Sequence, residues 1–490
     1  MKRLAQVGLR WGSAAGLAYL ALFFWVDAIS RVIGGPYRPA ISIPVAMLTV
    51  ALAGRSLLYQ ESWSWALSLA ALAGLILSWH PILIAAFVGG AVLWAIVAQH
   101  QPRKKTVLAH QVPFPIPVRL TTTDRFLHLH VLGPTGSGKS SSVLMPLIAQ
   151  DLVHGHGIFL LEPKGDLTRS AYRRAIDAGR SVMRFDPTQT SCPHVNPLSG
   201  PAEEAAEGLA WCLNQISGSG HPYYAVAARV QLLHAVRVIK DHYGDSADLG
   251  HVLEFFRHTG LQKQIVLDSQ DTAAQNYFQE QWQRKAGAGR EDRQGLLNRL
   301  ELLWASPAVR RVLTAPADFT WDEILNERWV LLCSLSLAQL GESARALGSL
   351  LWHGLAQAAY RRNPAVPAPP FFAYLDEFYQ WVNDDIGDFL ALARGYFVGL
   401  VLAHQDMGQL SPTLQEAVMA NARHRIILPG SAPEDVARFQ RGAQPYNVNP
   451  RLRYLRRGRA VLQTTHDGRL NPPRMVRLAY IRLGGSGHES

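Results

Sequence analysis

Eight residues, Gly133, Pro134, Thr135, Gly136, Ser137, Gly138, Lys139 and Ser140, constrain this chain more than any other stretch. The apolar run Phe126 to Leu132 precedes them and reads as a strand, and the segment after them reads as a helix starting near Lys139. Strand, glycine loop and helix, in that order, are what a phosphate-binding loop requires. Gly133, Gly136 and Gly138 let the backbone turn tightly and present bare N–H groups to anionic oxygens. The helix start adds its positive dipole end. Lys139 has the reach for β- and γ-phosphates, and the Ser140 hydroxyl can ligate Mg²⁺. The loop predicts a nucleoside triphosphate site on an α/β fold.

The chain around the loop continues in the same alternation. An apolar helix (Val143 to Val153) leads to the buried-strand pattern Gly157 to Leu161, which ends in Glu162, Pro163, Lys164, Gly165, Asp166 and Leu167. A helix (Leu167 to Ala178) and a strand (Ser181 to Phe185) follow. This order predicts a parallel sheet covered on both faces, with ligand sites at the carboxyl ends of its strands. Farther on, the strand Pro370 to Leu375 ends in Asp376 and Glu377. An aspartate there can hold the Mg²⁺ shell, and the adjacent glutamate can polarise an attacking water. Acids also cap helix N-termini, but six apolar residues before the pair and a phosphate loop in the same chain favour chemistry. The strand Phe397 to Ala403 ends in His404 and Gln405, which places Gln405 to sense a γ-phosphate from a neighbouring strand. Between these halves, residues 201–315 are rich in Ala, Leu, Gln, Glu and Arg at helical spacing, which predicts an all-α insertion. The expected organisation is a membrane segment over 1–100, a basic proline-containing linker over 101–120, a nucleotide-binding domain over 121–200 and 316–490, and the all-α domain over 201–315.

Almost all of the apolar excess lies before Gln101, in runs near Trp11–Val26, Pro39–Ala53, Trp65–Trp79 and Ile82–Ala98. Each approaches the length that spans about 30 Å of hydrocarbon at about 1.5 Å per residue. Lys2, Arg3 and Arg10 precede the first run, and Arg103, Lys104 and Lys105 follow the last. The positive-inside rule then sets both ends in the cytoplasm and demands an even number of crossings, four or alternatively two. Asp27 and Glu61 are the only acids in this block, which argues against a buried bundle in a soluble protein. The net charge of +11 suits a phosphate-rich partner, nucleic acid or an anionic membrane. Three scattered cysteines and the absence of an HExxH motif exclude a disulfide framework and a zinc protease.

The series of motifs resembles the type IV secretion coupling proteins, the TraG/TraD-type conjugative DNA-transfer ATPases. The residues that carry the resemblance are Gly133–Ser140 with Pro146, Glu162–Leu167 (the family's Asp-Pro-Lys-Gly-Glu-Leu with both acids exchanged), Phe185-Asp186-Pro187 and Asn196-Pro197-Leu198. Asp376-Glu377-Phe378, Arg394-Gly395, Gln405–Leu410, Asn421-Ala422-Arg423 and Tyr480 follow in the family's order. The resemblance implies an α/β RecA-like P-loop ATPase with an inserted all-α domain behind an N-terminal helical transmembrane region, assembled as a homohexamer at the bacterial inner membrane. It implies ATP and Mg²⁺ as cofactors, and DNA, a relaxase or effector protein and the secretion channel as partners. By position, Lys139 and Ser140 bind phosphate and Mg²⁺, Asp376 holds the metal and Glu377 activates water. Arg394 is the expected arginine finger, with Arg423 and Arg425 as substitutes. The arginine-rich stretch from Arg438 to Arg459 suits DNA-backbone contact. An FtsK/HerA-type DNA translocase and a nucleotide-switched membrane receptor for secretion cargo are the alternatives.

Overall fold

The computed structural model describes residues 105–483 apart from 113–115, 215–221, 284–287, 315, 383, 385 and 448–453. The predicted membrane segment, with its four or two crossings, lies outside these residues. Among the described residues no helix is long and apolar enough to cross a membrane.

The described chain is organised on one eleven-stranded sheet. In chain order its strands are β1 (Lys105–Gln111), β2 (Pro117–Thr121), β3 (Leu129–Leu132), β4 (Gly157–Glu162), β5 (Val182–Phe185), β6 (Val330–Ser334) and β7 (Phe371–Asp376). They are followed by β8 (Val398–His404), β9 (His424–Ile427), β10 (Arg459–Gln463), a two-strand ribbon β11 (Thr465–His466) and β12 (Arg469–Leu470), and β13 (Arg474–Arg477). The sheet runs β2-β1-β13-β10-β9-β3-β8-β7-β4-β6-β5. From β9 to β5 every pairing is parallel. From β2 to β9 every pairing is antiparallel.

The parallel half follows the predicted alternation, with two corrections of extent. The strand before the loop begins at Leu129 rather than Phe126, because Thr122–Arg125 forms a helical turn and His128 takes a left-handed φ of 60°. The helix after the loop opens as a π-helical turn, Lys139–Leu144, before the α-helix Met145–His154. The antiparallel half was not anticipated. Residues read as a linker form β1 and β2, in which Thr106, Leu108, Ala109 and Leu120 are buried. Their strand pattern is short and basic, and only pairing with the distant β13 gives it a partner.

Strand residues alternate between two cores, as a pleat dictates. Ile158, Leu160, Phe372 and Tyr374 face the helices Met145–His154 and Asp166–Asp177. Phe159, Leu161, Phe371 and Leu375 face the other side, where the core continues into the helices between β5 and β6 and into Glu342–Tyr360. Among the described residues from Ala202 to Asn326 the regular elements are all helical. The first of them, Ala202–Asn214, crosses Glu342–Tyr360 closely: a Cβ on Gly208 would lie 2.8 Å from the His353 ring.

Beneath the sheet sits a buried charge cluster. Arg125, 5% exposed, forks onto Asp151, 0% exposed, with Nη1 donating to Oδ1 and Nη2 to Oδ2 at 2.8 Å. Its guanidinium also lies 3.7 Å from the centre of the Phe372 ring. The Tyr374 hydroxyl donates to Asp151 Oδ2 at 2.5 Å, and His156 Nδ1 lies 3.0 Å from Oδ1. Burial pushes the Asp151 carboxyl up, but the Arg125 charge and these hydrogen bonds outweigh it and hold the group well below the usual carboxylate range. The cluster pins the turn before β3 to the helix after the loop and to β7. Replacing Arg125 with Met leaves the Asp151 charge buried and uncompensated, a loss of about 3–5 kcal/mol measurable by urea unfolding. A depressed carboxyl stabilises the fold above its unfolded pKa of about 3.9 and loses that contribution as pH falls toward its folded value. Asp151→Asn should therefore flatten the acid limb of stability against pH below about 4 relative to the unmodified chain.

Candidate nucleotide site

The loop Gly133–Ser140 leaves the carboxyl end of β3 and is closed from below by its neighbours: the Gly133 N–H donates to the His404 carbonyl at 3.2 Å. Gly136 and Gly138 have φ of 80° and 100°, the left-handed conformation that only glycine adopts cheaply. Thr135 and Gly136 are exposed at its crest. The Lys139 side chain is only 6% exposed and folds back under the loop, donating to the Gly133 carbonyl at 2.7 Å. Its ammonium is 3.7 Å from Glu377 Oε1. Burial lowers its pKa, and the charges of Glu377 and Asp376 partly restore it.

Parallel pairing of β3 with β8 and of β8 with β7 brings the other predicted residues to the same edge. The Ser140 hydroxyl donates to Asp376 Oδ2 at 3.3 Å, and Gln405 Nε2 donates to Glu377 Oε1 at 3.0 Å. Glu377 follows the strand in a left-handed conformation, φ 49° and ψ 49°, which turns the chain sharply after the aspartate and costs a non-glycine residue about 1–2 kcal/mol. Burial, and then the Glu377 charge, raise Asp376 to about 6. Asp376 Oδ1 and Glu377 Oε2 are buried without a hydrogen-bond partner among the described residues. Two carboxylate oxygens left bare beside a hydroxyl and an ammonium fit a divalent cation and a water, the hard oxygen-seeking species that accompany a triphosphate.

Arg394 does not join this group. It is exposed in the turn Ala393–Tyr396, at the amino end of β8, with Gln405 just past the other end. Seven residues of strand separate the two by about 23 Å. Arg423, also exposed, precedes β9 at the same amino edge of the parallel sheet. Arg425 is excluded as a substitute finger. It is buried, and its guanidinium donates to the carbonyls of Ala422, Gly442 and Met419.

Several residues near the loop escaped sequence reasoning. Arg457, known only as one of many basic residues, lies against the loop in the same chain: its Nε is 3.6 Å from where a Gly138 Cβ would sit. It also lies 6.0 Å from the Tyr480 ring, which is exposed, while the Ile481 N–H donates to the Ser141 carbonyl at 2.9 Å. Two segments remote in sequence thus flank the loop. His404 pairs with His130 through Nε2 atoms 2.7 Å apart, and burial holds both rings neutral. In the exchanged-acid segment, buried Glu162 accepts the Thr168 N–H, and burial raises it to about 7. Asp166 points outward to Arg169 at 3.6 Å. Lys164 is exposed, and its charge reaches both Lys139 and Asp376. Nothing in the motif distinguishes these three fates.

The fold and the loop together define a P-loop nucleoside triphosphatase. Residues 98–215 match the family model for type IV secretory system conjugative DNA transfer. That match covers part of the chain and agrees with the family its motif series resembles. In fold it is similar to the unbound bacterial conjugative coupling protein TrwBΔN70 (TM-score 0.58, 14% identity, covering 78% of this chain and 91% of that one). It is similar also to TrwB in complex with ADP and Mg²⁺ (TM-score 0.57, 14% identity, 79% and 92% covered). VirB4 of Thermoanaerobacter pseudethanolicus shares the fold more distantly (TM-score 0.50, 13% identity, 76% and 96% covered). Direct comparison with curated protein sequences returns no match.

The loop geometry makes a direct prediction. Gly138→Ala places a side chain at φ 100°, 3.1 Å from the Ser142 hydroxyl. The strain is about 1–2 kcal/mol, so nucleotide affinity measured by fluorescence titration should fall about tenfold while the far-ultraviolet circular dichroism stays unchanged.

Proposed function

We propose that this chain is an inner-membrane coupling ATPase that recruits DNA or protein cargo and drives it into a type IV secretion channel. The observation that carries this reading is the convergence of the phosphate loop, Asp376, Glu377 and Gln405 at one edge of the parallel sheet, with two carboxylate oxygens bare. On triphosphate arrival the Lys139 ammonium exchanges the Gly133 carbonyl for β- and γ-phosphate oxygens. Ser140 and Asp376 would hold Mg²⁺, which neutralises phosphate charge. Glu377, held by Gln405 through its other oxygen, offers Oε2 to take a proton from the attacking water. Arg457 and Tyr480 flank the loop and would be available to the rest of the nucleotide.

Arg394 stands about 23 Å from the loop edge of its own chain along the seven residues of β8, and Arg423 stands at the far end of the four-residue β9, about 13 Å from that edge, so we assign either one to a neighbouring copy's site. A head-to-tail ring joins two different faces of successive subunits; in the ring we propose, one subunit's amino edge meets the next one's loop edge. We take the assembly to be a homohexamer anchored by the apolar N-terminal block, with the all-α region over 201–315 reading cargo. The description of the matched family supports DNA as the cargo, and a relaxase-bound strand is the form we propose. The basic residues Arg456 and Arg459 suit phosphate-backbone contact without sequence readout.

Two variants of the full-length chain test this. Glu377→Gln should bind nucleotide normally, lower hydrolysis about 10²–10⁴-fold and abolish transfer of a marked plasmid. Continued transfer without hydrolysis would sink the motor reading in favour of a nucleotide-switched receptor. Arg394→Ala and Lys139→Ala should each be inactive alone, yet regain hydrolysis when mixed, because a mixed pair contains one complete site. No recovery on mixing removes Arg394 from the trans role.

A further inference from the structure

Beside the loop lies a cavity of about 420 Å³. Its walls include Pro134 of the loop, Gln405 and three acids: Asp406, Glu434 and Asp435. Gly430 brings the opposite wall close, since a Cβ there would meet Pro134 Cγ at 3.1 Å. Asp435 belongs to the helix Pro433–Gly442 and is only 4% exposed. Its Oδ1 accepts the Met407 N–H at 3.2 Å, but its Oδ2 has no hydrogen-bond partner among the described residues. Arg438, one turn along the same helix, lends Asp435 its charge without hydrogen bonding to that oxygen. A buried carboxylate left half-bonded is costly unless something arrives to complete it.

The shape and chemistry select the occupant. A metal ion needs ligand atoms gathered on one point. Among the described residues, sets of three such atoms within 4.8 Å occur at Asp151–His154–His156 and at Asp124–His466–Asp467, not here. A planar guanidinium, with five donors spread over a fork, can satisfy carboxylates that stand apart. The chain is itself strongly basic, at +11, and exposes Arg394 and Arg423 on the opposite edge of the sheet. We propose that this cavity is the seat of an arginine from a second copy of this chain, anchored by Asp435 and guided by Glu434 and Asp406, so that the incoming guanidinium settles beside Gln405 and the triphosphate. The proposal rests on the shared-site reading above and adds what that reading lacks: the receiving surface. The seat makes assembly and catalysis one event, because the group that binds the carboxylate is delivered to the nucleotide.

The test measures hydrolysis per subunit against protein concentration for the full-length chain in detergent. The unmodified chain should show a rate that rises with concentration to a plateau. Asp435→Asn should move the midpoint up about tenfold. Glu434→Gln, at an exposed position that tolerates change, should move it two- to threefold, near ~0.5 kcal/mol. Asp435→Asn keeps the acceptor for the Met407 N–H and removes a buried charge, so its melting temperature should not fall. A midpoint unchanged in both variants overturns the seat while leaving the shared site intact. A wild-type rate independent of concentration overturns the shared site and the seat together. A lowered melting temperature with an unchanged midpoint assigns Asp435 a purely structural role and also overturns the proposal.

Discussion

Everything at the nucleotide edge depends on the parallel register of β3, β8 and β7. Hydrogen bonding sets Leu132 level with His404, and Ala403 level with Asp376. The residues that follow each strand, the loop, Gln405 and Glu377, therefore emerge side by side. A one-residue slip in any pairing would reverse the facing of every side chain on that strand and take Asp376 away from Ser140. The register is protected by burial on both faces: Val131, Ala403, Tyr374 and Leu160 pack into one core, and Leu132, Leu402, Leu375 and Leu161 into the other.

Charge is handled in two different ways on this scaffold. Under the sheet, Arg125 and Asp151 satisfy each other and, with Tyr374 and His156, form a closed cluster that serves packing. At the edge, Lys139, Asp376 and Glu377 are equally buried but incompletely paired. Such a group waits for a ligand, because the cost of its bare oxygens is recovered only when a cation, a water and phosphates complete it. The raised pKa of Asp376 and the lowered pKa of Lys139 express the same tension. The half-bonded carboxylate of Asp435, on the helix after β9, repeats the pattern one strand away.

Local signals were strong where a residue's job is set by its immediate neighbours in sequence. The loop, the helices after it, the strand ending in Asp376 and the apolar-to-helical switch near residue 201 are all short-range patterns. Signals failed where partners lie far apart in the chain. β1 and β2 looked like a linker because β13, more than 350 residues later, supplies their sheet. Arg425 looked like Arg423 until Met419, Ala422 and Gly442 closed around its guanidinium. Arg457 was one basic residue among many until β10 placed it against the loop.

By itself the sequence determined that this chain has a triphosphate loop, a pair of strand-end acids and an α/β alternation, since each depends on spacing along a few residues. Only the tertiary structure decided which charges are satisfied and which are left open. It put Arg394 on the wrong edge for its own loop, Arg457 on the right one, and an unfinished carboxylate at Asp435 beside the site. Those outcomes depend on which strands become neighbours, and strand order is a product of long-range packing that no local stretch encodes.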